Sequence, residues 1–214
     1  WVEQAMARWN KPDVLPAMDS LGVDVARGGE DQTTIVSRHG NWYSELLAYA
    51  GTDTPDGPRT AGLVVAAVRD GAVIHIDVIG VGSSPYDFLR QARQHVIGVN
   101  VAEKPTATDK SGRLTFANLR SQLWWKMREA LDPAANRGIA LPPDRQLAAE
   151  LCAPRWEARG PVVYVESRDE VKKRIGRSPD RATAVLLASM DTPKPAVLEE
   201  IRRERREYDP LEGF

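Results

Sequence analysis

Two aspartates stand inside apolar segments, where a carboxylate needs a cationic partner or a metal ion. Asp24 lies within residues 21–25 and Asp77 within residues 72–79, both rich in aliphatic side chains. Burying an unpaired charge costs several kcal/mol. Because neighbouring strands lie about 4.8 Å apart, two such carboxylates on one face of a sheet could share an ion. Oxygen ligands favour Mg²⁺ or Mn²⁺ over Zn²⁺.

Asp180 is a third candidate ligand. It follows Ser178 and Pro179, which are typical of an N-cap and a first helical residue, so we expect it in the first turn of a helix. The simpler interpretation of Asp180 is that the helix dipole favours an acid there. Asp24 also has a simpler interpretation, an ion pair with Arg27.

Other kinds of catalytic site have little support. The single cysteine and three histidines show no zinc-ligand spacing; they are Cys152, His39, His75 and His95. The phosphate-binding pattern G-x-x-x-x-G-K-[ST] is absent, so we expect no P-loop ATPase site. Composition alone does not exclude a Ser-His-Asp site, but the G-x-S-x-G pattern is absent.

The composition is that of an ordinary globular protein. The 214 residues are 42% hydrophobic and 28% charged, with a formal net charge of -1. We expect one compact soluble domain in a reducing, intracellular compartment, with no membrane span. The start at Trp1 suggests a fragment whose N-terminal partner domain is missing. The predicted division is a linker at 1–20, a folded domain at 21–192 and a charged tail at 193–214.

The order of elements predicts an α/β fold whose central mixed sheet has about five or more strands, with helices on both faces. Residues 40 and 41 supply a hairpin turn, and 104–113 is a polar loop. Strands are predicted at 21–25, 33–38, 44–50, 72–79, 97–101 and 161–166. Helices are predicted at 2–9, 60–69, 85–95, 116–131, 145–151, 169–175 and 178–188.

The candidate acids lie in motifs that resemble the nuclease domain of tailed-phage terminase large subunits. The motifs are G-V-D-V-A-x-G-G-x-D-x-T around Asp24, I-D-V-I-G-V-G around Asp77 and S-P-D-R-A-T-A around Asp180. Similarity extends to residues 116–128 and 172–178. The resemblance implies an RNase H-like fold, related to RuvC resolvases. The sequence departs from the family motif at Thr183, where the family commonly has a second acid. This departure weakens the expected binding of a second metal ion.

The resemblance implies a metal-dependent endonuclease that cuts double-stranded viral DNA concatemers during genome packaging. Two Mg²⁺ or Mn²⁺ ions about 3.5 to 4 Å apart are expected. Asp24 would bridge them, with Asp77 on one and Asp180 on the other. Asp31 is either an auxiliary ligand or a turn residue. The implied partners are an ATPase domain, the terminase small subunit and the portal protein, in the host cytoplasm and without a membrane.

Residues 168–181 carry six basic and three acidic side chains, a net charge of +3 beside the proposed ions. A solvated helix face is the alternative to DNA binding there. The candidate DNA contacts are Lys172, Lys173, Arg174, Arg177 and Arg181. Trp124 shares an apolar helical stripe and is predicted to be core rather than a base-stacking residue.

Two other functions stay open on the sequence alone. A RuvC-like junction resolvase would share the three-acid core and act on branched DNA. A non-catalytic DNA-binding or docking module of a packaging motor would have lost metal binding, as the threonine at position 183 would then indicate.

Overall fold

A computed structural model describes residues 1–26 and 31–191, and its centre is a six-stranded mixed sheet. The strands are β1 (Ser20–Asp24), β2 (Gln32–His39), β3 (Trp42–Tyr43), β4 (Leu47–Ala50), β5 (Val73–Asp77) and β6 (Val96–Val99). The strand order is β3-β2-β1-β5-β6, and β4 also pairs with β2. β1 lies antiparallel to β2 but parallel to β5, which in turn lies parallel to β6. The predicted mixed sheet is confirmed.

Helices cover both faces of this sheet, also as predicted. They are α1 (Val2–Ala7), α2 (Gly57–Ala67), α3 (Ser83–Gln91), α4 (Leu119–Leu131), α5 (Arg145–Cys152), α6 (Arg168–Ile175) and α7 (Asp180–Ala188). One apolar core joins β1 and β5 to α2 and α3 through side chains such as Val23, Ile76, Val64 and Leu89. The other joins α7 to α4 and α5 and includes Trp124, as expected. Among the described residues, no helix is long and apolar enough to cross a membrane.

Of the predicted strand at 44–50, only residues 47–50 form a strand, β4, and β3 at 42–43 lies just before the predicted range. β3 pairs Tyr43 with Arg38, whereas β4 pairs Ala48 with Thr34, so the register shifts by one residue between them. One extra residue in one strand is a β-bulge, which bends the strand and interrupts its pairing. The turn at Gly40, whose φ is +62°, is where the sequence places it.

A second sheet of three strands was not predicted as a unit. Its strands are β7 (Thr115–Phe116), β8 (Trp156–Arg159) and β9 (Val162–Val165), in the order β7-β9-β8. All four residues of β8 are exposed, so the strand lacks the apolar alternation by which a sequence reveals one. β9 agrees with the prediction at 161–166.

Residues of the expected linker at 1–20 pack onto the domain. Ala5 is buried, and its carbonyl accepts a hydrogen bond from the Leu141 backbone N–H. Arg8 Nε donates to the carbonyl of Ile139. The division at residue 20 remains a prediction, and the predicted tail at 193–214 lies outside the described residues.

Helix α7 lies directly against β1, and Gly22 makes this possible. A Cβ atom at position 22 would collide with the backbone of α7 at Ala184 and Ala188. Ser20 Oγ, on the same face of β1, donates to the carbonyl of Ala188 at 2.6 Å. The helix therefore approaches the strand as closely as two backbones allow.

We predict that Gly22→Ala destabilises the fold by about 3 kcal/mol or more, because overpacking against backbone that cannot move aside exceeds the usual cost. Gly62→Ala is the matched control, since a Cβ atom there meets nothing within 4 Å. In a helix, that change should stabilise by about 0.5–1 kcal/mol. Urea unfolding at equilibrium measures both. Equal midpoints for the two variants would contradict the close packing of α7 on β1.

Candidate active site

β1, β5 and α7 bring the three predicted acids to one edge of the central sheet. Val23 pairs with Ile76, so Asp24 and Asp77 follow side by side at the carboxyl ends of parallel strands. The last turn of α7 is bonded to Ser20, at the start of β1, so the helix runs back along the strand and begins near Asp24. Asp180 is the first residue of α7. Asp24, Asp77 and Asp180 are 1%, 8% and 4% exposed, respectively.

Asp24 carries the least compensated carboxylate of the three. Neither of its oxygens has a hydrogen-bond partner within the described part of the chain. Burial raises the pKa of Asp24 well above its usual value; Arg168 opposes this rise, and the charges of Asp180 and Asp77 add to it. The charge of Asp24 is therefore only partly compensated, by Arg168 at 3.9 Å. The alternative partner, Arg27, lies outside the described residues.

The other two acids are held by backbone donors. Asp77 Oδ1 accepts a hydrogen bond from the Ile79 N–H at 2.9 Å. Burial raises the pKa of Asp77, and this hydrogen bond partly opposes the rise. Asp180 Oδ2 accepts from the Gln32 N–H at 2.8 Å, which ties the start of β2 to the start of α7. Both carboxylates are thus fixed in orientation at the sheet edge.

Arg168, the first residue of α6, supplies the positive charge that the acids share. Its guanidinium lies 2.8 Å from Asp180 Oδ1 and 3.9 Å from Asp24 Oδ1. Although burial lowers the pKa of Arg168, the surrounding carboxylates raise it above the usual value. In this arrangement, residues 1–26 and 31–191 contain no group of three or more His, Cys, Asp or Glu that could hold a metal ion. The arginine provides a cation in its place.

Asp31 is not a free ligand in this structure. Both of its oxygens accept hydrogen bonds from Lys172 Nζ, at 2.7 and 2.9 Å. Arg168 also approaches within 3.8 Å. Asp31 therefore belongs to the same network of charges as Asp180, and its role toward a metal stays a prediction.

Thr183, where the resemblance leads one to expect an acid, is buried on α7. Its hydroxyl donates to the carbonyl of Pro179 at 2.9 Å. The hydroxyl hydrogen is thus satisfied within the helix itself, and the side chain brings no charge to the site.

Sequence reasoning missed Glu150 as well as Arg168. Glu150 is fully buried on α5, and its Oε2 accepts a hydrogen bond from the Ala182 N–H in the first turn of α7. Burial raises the pKa of this carboxyl, and the hydrogen bond from Gln146 opposes the rise. The available signal was the spacing of Leu147 and Glu150, which puts an acid on the apolar face of a predicted helix. Glu150 therefore accepts a hydrogen bond from a backbone N–H group in the first turn of α7 that has no partner within the helix.

Most of the predicted DNA contacts are occupied by neighbouring acids. Lys172 binds Asp31, as described above. Arg174 pairs with Glu166 and Arg181 with Asp144, while Arg177 lies 3.8 Å from Glu150. Lys173 is exposed and forms no ion pair with a described residue. The group does lie on α6, α7 and the turn between them, next to the acids, as predicted.

Comparison with known structures identifies the fold. No protein-family model matches the sequence, and no curated protein matches it. The nuclease domain of the large terminase subunit of bacterial virus Sf6 is similar in structure, with a TM-score of 0.65, 19% identity, and coverage of 88% of this chain and 94% of that chain. The chain has the fold of a phage terminase nuclease domain.

Two further structures with this terminase nuclease fold support the assignment. A mutant of the Sf6 domain with manganese and β-thujaplicinol has a TM-score of 0.63 and 18% identity over 89% of this chain and 94% of that chain. The large terminase nuclease from thermophilic phage G20c has a TM-score of 0.55 and 16% identity over 83% and 82%. The RNase H-like fold predicted from the motifs is confirmed.

We predict that Asp24→Asn stabilises the metal-free protein at neutral pH, since the amide brings no charge into the buried site. Because the folded pKa of Asp24 exceeds the unfolded value of about 3.9, wild-type stability falls as pH rises above that value. The gain on substitution should therefore be small at pH 4 and grow toward pH 7. A gain of about 1 kcal/mol raises Tm by about 2–4 °C.

Thermal unfolding in EDTA at several pH values measures this gain. Asp87→Asn is the matched control. Asp87 is exposed on α3, so its substitution should leave Tm unchanged. A lower Tm for Asp24→Asn at pH 7 would show that the carboxylate is compensated after all.

Proposed function

We propose that this chain is a metal-dependent endonuclease that cuts double-stranded DNA during packaging of a phage genome. The observation that carries the proposal is Asp24, a buried carboxylate without a hydrogen-bond partner among the described residues, beside two more buried acids. Burying such a carboxylate costs free energy unless it is paired, and the counter-charge that Asp24 has among the described residues, Arg168, lies 3.9 Å away. The shared fold of solved terminase nucleases supports the reading of these acids as a nuclease centre.

Divalent cations are the proposed cofactors, with Asp24, Asp77 and Asp180 as the residues that would hold them. The donor set fits, because it consists of hard oxygen ligands, and both oxygens of Asp24 need a cation. Structures of the Sf6 and G20c domains contain manganese and magnesium, respectively. Such a cation would supply a Lewis acid for water and for the phosphate oxygens. We retain the proposal of two ions, with the second held less firmly because residue 183 is Thr.

The proposed reaction is hydrolysis of a phosphodiester. The water oxygen forms a bond to phosphorus and loses a proton to solvent, the bond from phosphorus to the 3′ oxygen breaks, and the 3′ oxygen takes up a proton, which gives a 3′ hydroxyl and a 5′ phosphate. The chain contributes position and charge. Backbone N–H groups fix Asp77 and Asp180, and Arg168, when released from the acids, would offer two donors to a phosphate.

DNA contacts are proposed at Lys172, Lys173, Arg174, Arg177 and Arg181. Lys173 has the strongest support, because it is exposed and no described acid pairs with it. The other four side chains would have to exchange an intramolecular carboxylate for a phosphate, which lowers the net gain from each contact. By resemblance, we also propose an ATPase domain, the terminase small subunit and the portal protein as partners, in the host cytoplasm.

We predict that the pure protein cuts plasmid and linear duplex DNA only with Mg²⁺ or Mn²⁺, and that Asp77→Ala lowers the rate by at least about 100-fold, the usual cost of removing a preorganised electrostatic group. Asp87→Ala, which removes an exposed acid, should retain full activity. Gel analysis of nicked and linear products measures both.

Undiminished metal-dependent cutting by Asp77→Ala would contradict the assignment of the site. If the wild type binds DNA but never cuts, the chain is a non-catalytic module of the motor. A strong preference for four-way junctions over duplex DNA would favour a resolvase.

We predict that Arg168→Gln strengthens Mn²⁺ binding by about tenfold, because the cation no longer has to displace a guanidinium from the acids. The charge-assisted hydrogen bond that the metal would otherwise have to break is worth about 1.5–3 kcal/mol, which is enough for a tenfold change in affinity. Arg174→Gln is the matched control on the same helix, since Arg174 pairs with Glu166 instead. Isothermal titration calorimetry measures the affinities without any cleavage. Unchanged or weaker binding by Arg168→Gln would show that the arginine and the metal do not compete.

A further inference from the structure

A pocket of about 440 Å³ opens beside Asp77 and Thr183, between α4, α6 and α7. This volume lies within the usual range for small-ligand sites of about 300–1,000 Å³. Its apolar walls include Val101, Leu123, Trp124, Leu186 and Leu187. Two cationic side chains, Arg120 and Arg168, line the same space.

Arg120 is the pocket residue whose hydrogen bonds are incomplete. Its Nε donates to the carbonyl of Glu166 at 3.1 Å, and its guanidinium lies 5.5 Å from the centre of the Trp124 ring. Its Nη2, which is buried, has no hydrogen-bond partner among the described residues. An unsatisfied charged donor is costly to bury. Burial, followed by repulsion from Arg168, lowers the pKa of Arg120 to about 10. The buried Nη2 of Arg120 is therefore the donor in this pocket that lacks an acceptor, although Asp77 and Asp169 also line the pocket.

We propose that this pocket binds one unpaired nucleotide, with the phosphate on Arg120 and the base against the aliphatic walls. A phosphate would accept a hydrogen bond from the unsatisfied Nη2 of Arg120 and would screen its repulsion from Arg168. The aliphatic walls formed by Val101, Leu123, Leu186 and Leu187 suit a planar base. A smaller anion would leave the apolar part of the pocket empty.

The position of the pocket gives this nucleotide a role in the proposed reaction. Asp77 and Arg168 belong both to the pocket and to the acid site, so the bound unit would lie next to the phosphate that is cut. This role rests on the proposed function, whereas the binding chemistry does not. The same chemistry would accept a nucleotide within a DNA strand or a free nucleotide.

The test is the binding of thymidine 5′-monophosphate in EDTA, followed by calorimetry, with thymidine as the probe that lacks the phosphate. We expect the monophosphate to bind at least tenfold more tightly than thymidine. Arg120→Gln should weaken its binding at least tenfold. Ala102→Phe should do the same, because Ala102 is an exposed residue on the pocket wall whose larger side chain would fill the space.

Arg128→Gln is the matched control on α4, since Arg128 packs on Trp125 instead and does not line the pocket. Circular dichroism checks the folding of each variant, and Ala102→Phe keeps the test valid if Arg120→Gln unfolds. Displacement of the monophosphate by a 5′-phosphorylated oligothymidylate assigns the pocket to a DNA strand. A lack of displacement assigns it to free nucleotide.

Equal affinity for thymidine and its monophosphate, or unchanged binding by the folded Ala102→Phe variant, would overturn the proposal. Because no metal is present, these outcomes are independent of cleavage. A failed nuclease assay with intact nucleotide binding would count against the proposed function alone.

Discussion

The negative charge of Asp24, buried in the central sheet, is the constraint on which the arrangement of the site depends. A carboxylate in this position is tolerated only if it is protonated or if positive charge is brought to it. The fold brings such charge from two directions. The start of α7 points the positive end of its dipole toward the acids, and Arg168 reaches them from the start of α6. Neither element is close to Asp24 in the sequence.

In the structure an arginine meets this constraint, and in the proposed active state divalent cations would meet it. A cation held by the proposed ligands would compete with the guanidinium, which lies within 4 Å of Asp24 and Asp180. In this arrangement the described residues contain no group of three or more His, Cys, Asp or Glu that could hold a metal ion. Arg168 would then have a use in both states, first as a counter-ion for carboxylates and then, in the proposed reaction, as a donor to phosphate.

Much of the fold could be predicted from the sequence, because the buried strands and amphipathic helices have strong apolar periods. Asp24 and Asp77 could also be predicted, since an isolated acid in an apolar strand is physically conspicuous. Asp180 is different, because a first-turn acid has an ordinary explanation and only the motif separates the two. Glu150 and Arg168 could not be assigned, because their roles arise from contacts between elements distant in the chain. The exposed strand β8 was missed because nothing in its pattern reflects burial.

The position of α7 illustrates how the fold separates stability from chemistry. Its C-terminal half is fixed by apolar packing and by the backbone contact that Gly22 permits, while its N-terminal turn carries Asp180 and receives Glu150. Glu150 satisfies helix donors, yet it also adds a fourth carboxylate near Asp24 and raises the pKa of that residue further. A site built only for stability would use a neutral cap there. The added negative charge makes sense if the acids must attract a cation strongly enough to displace Arg168.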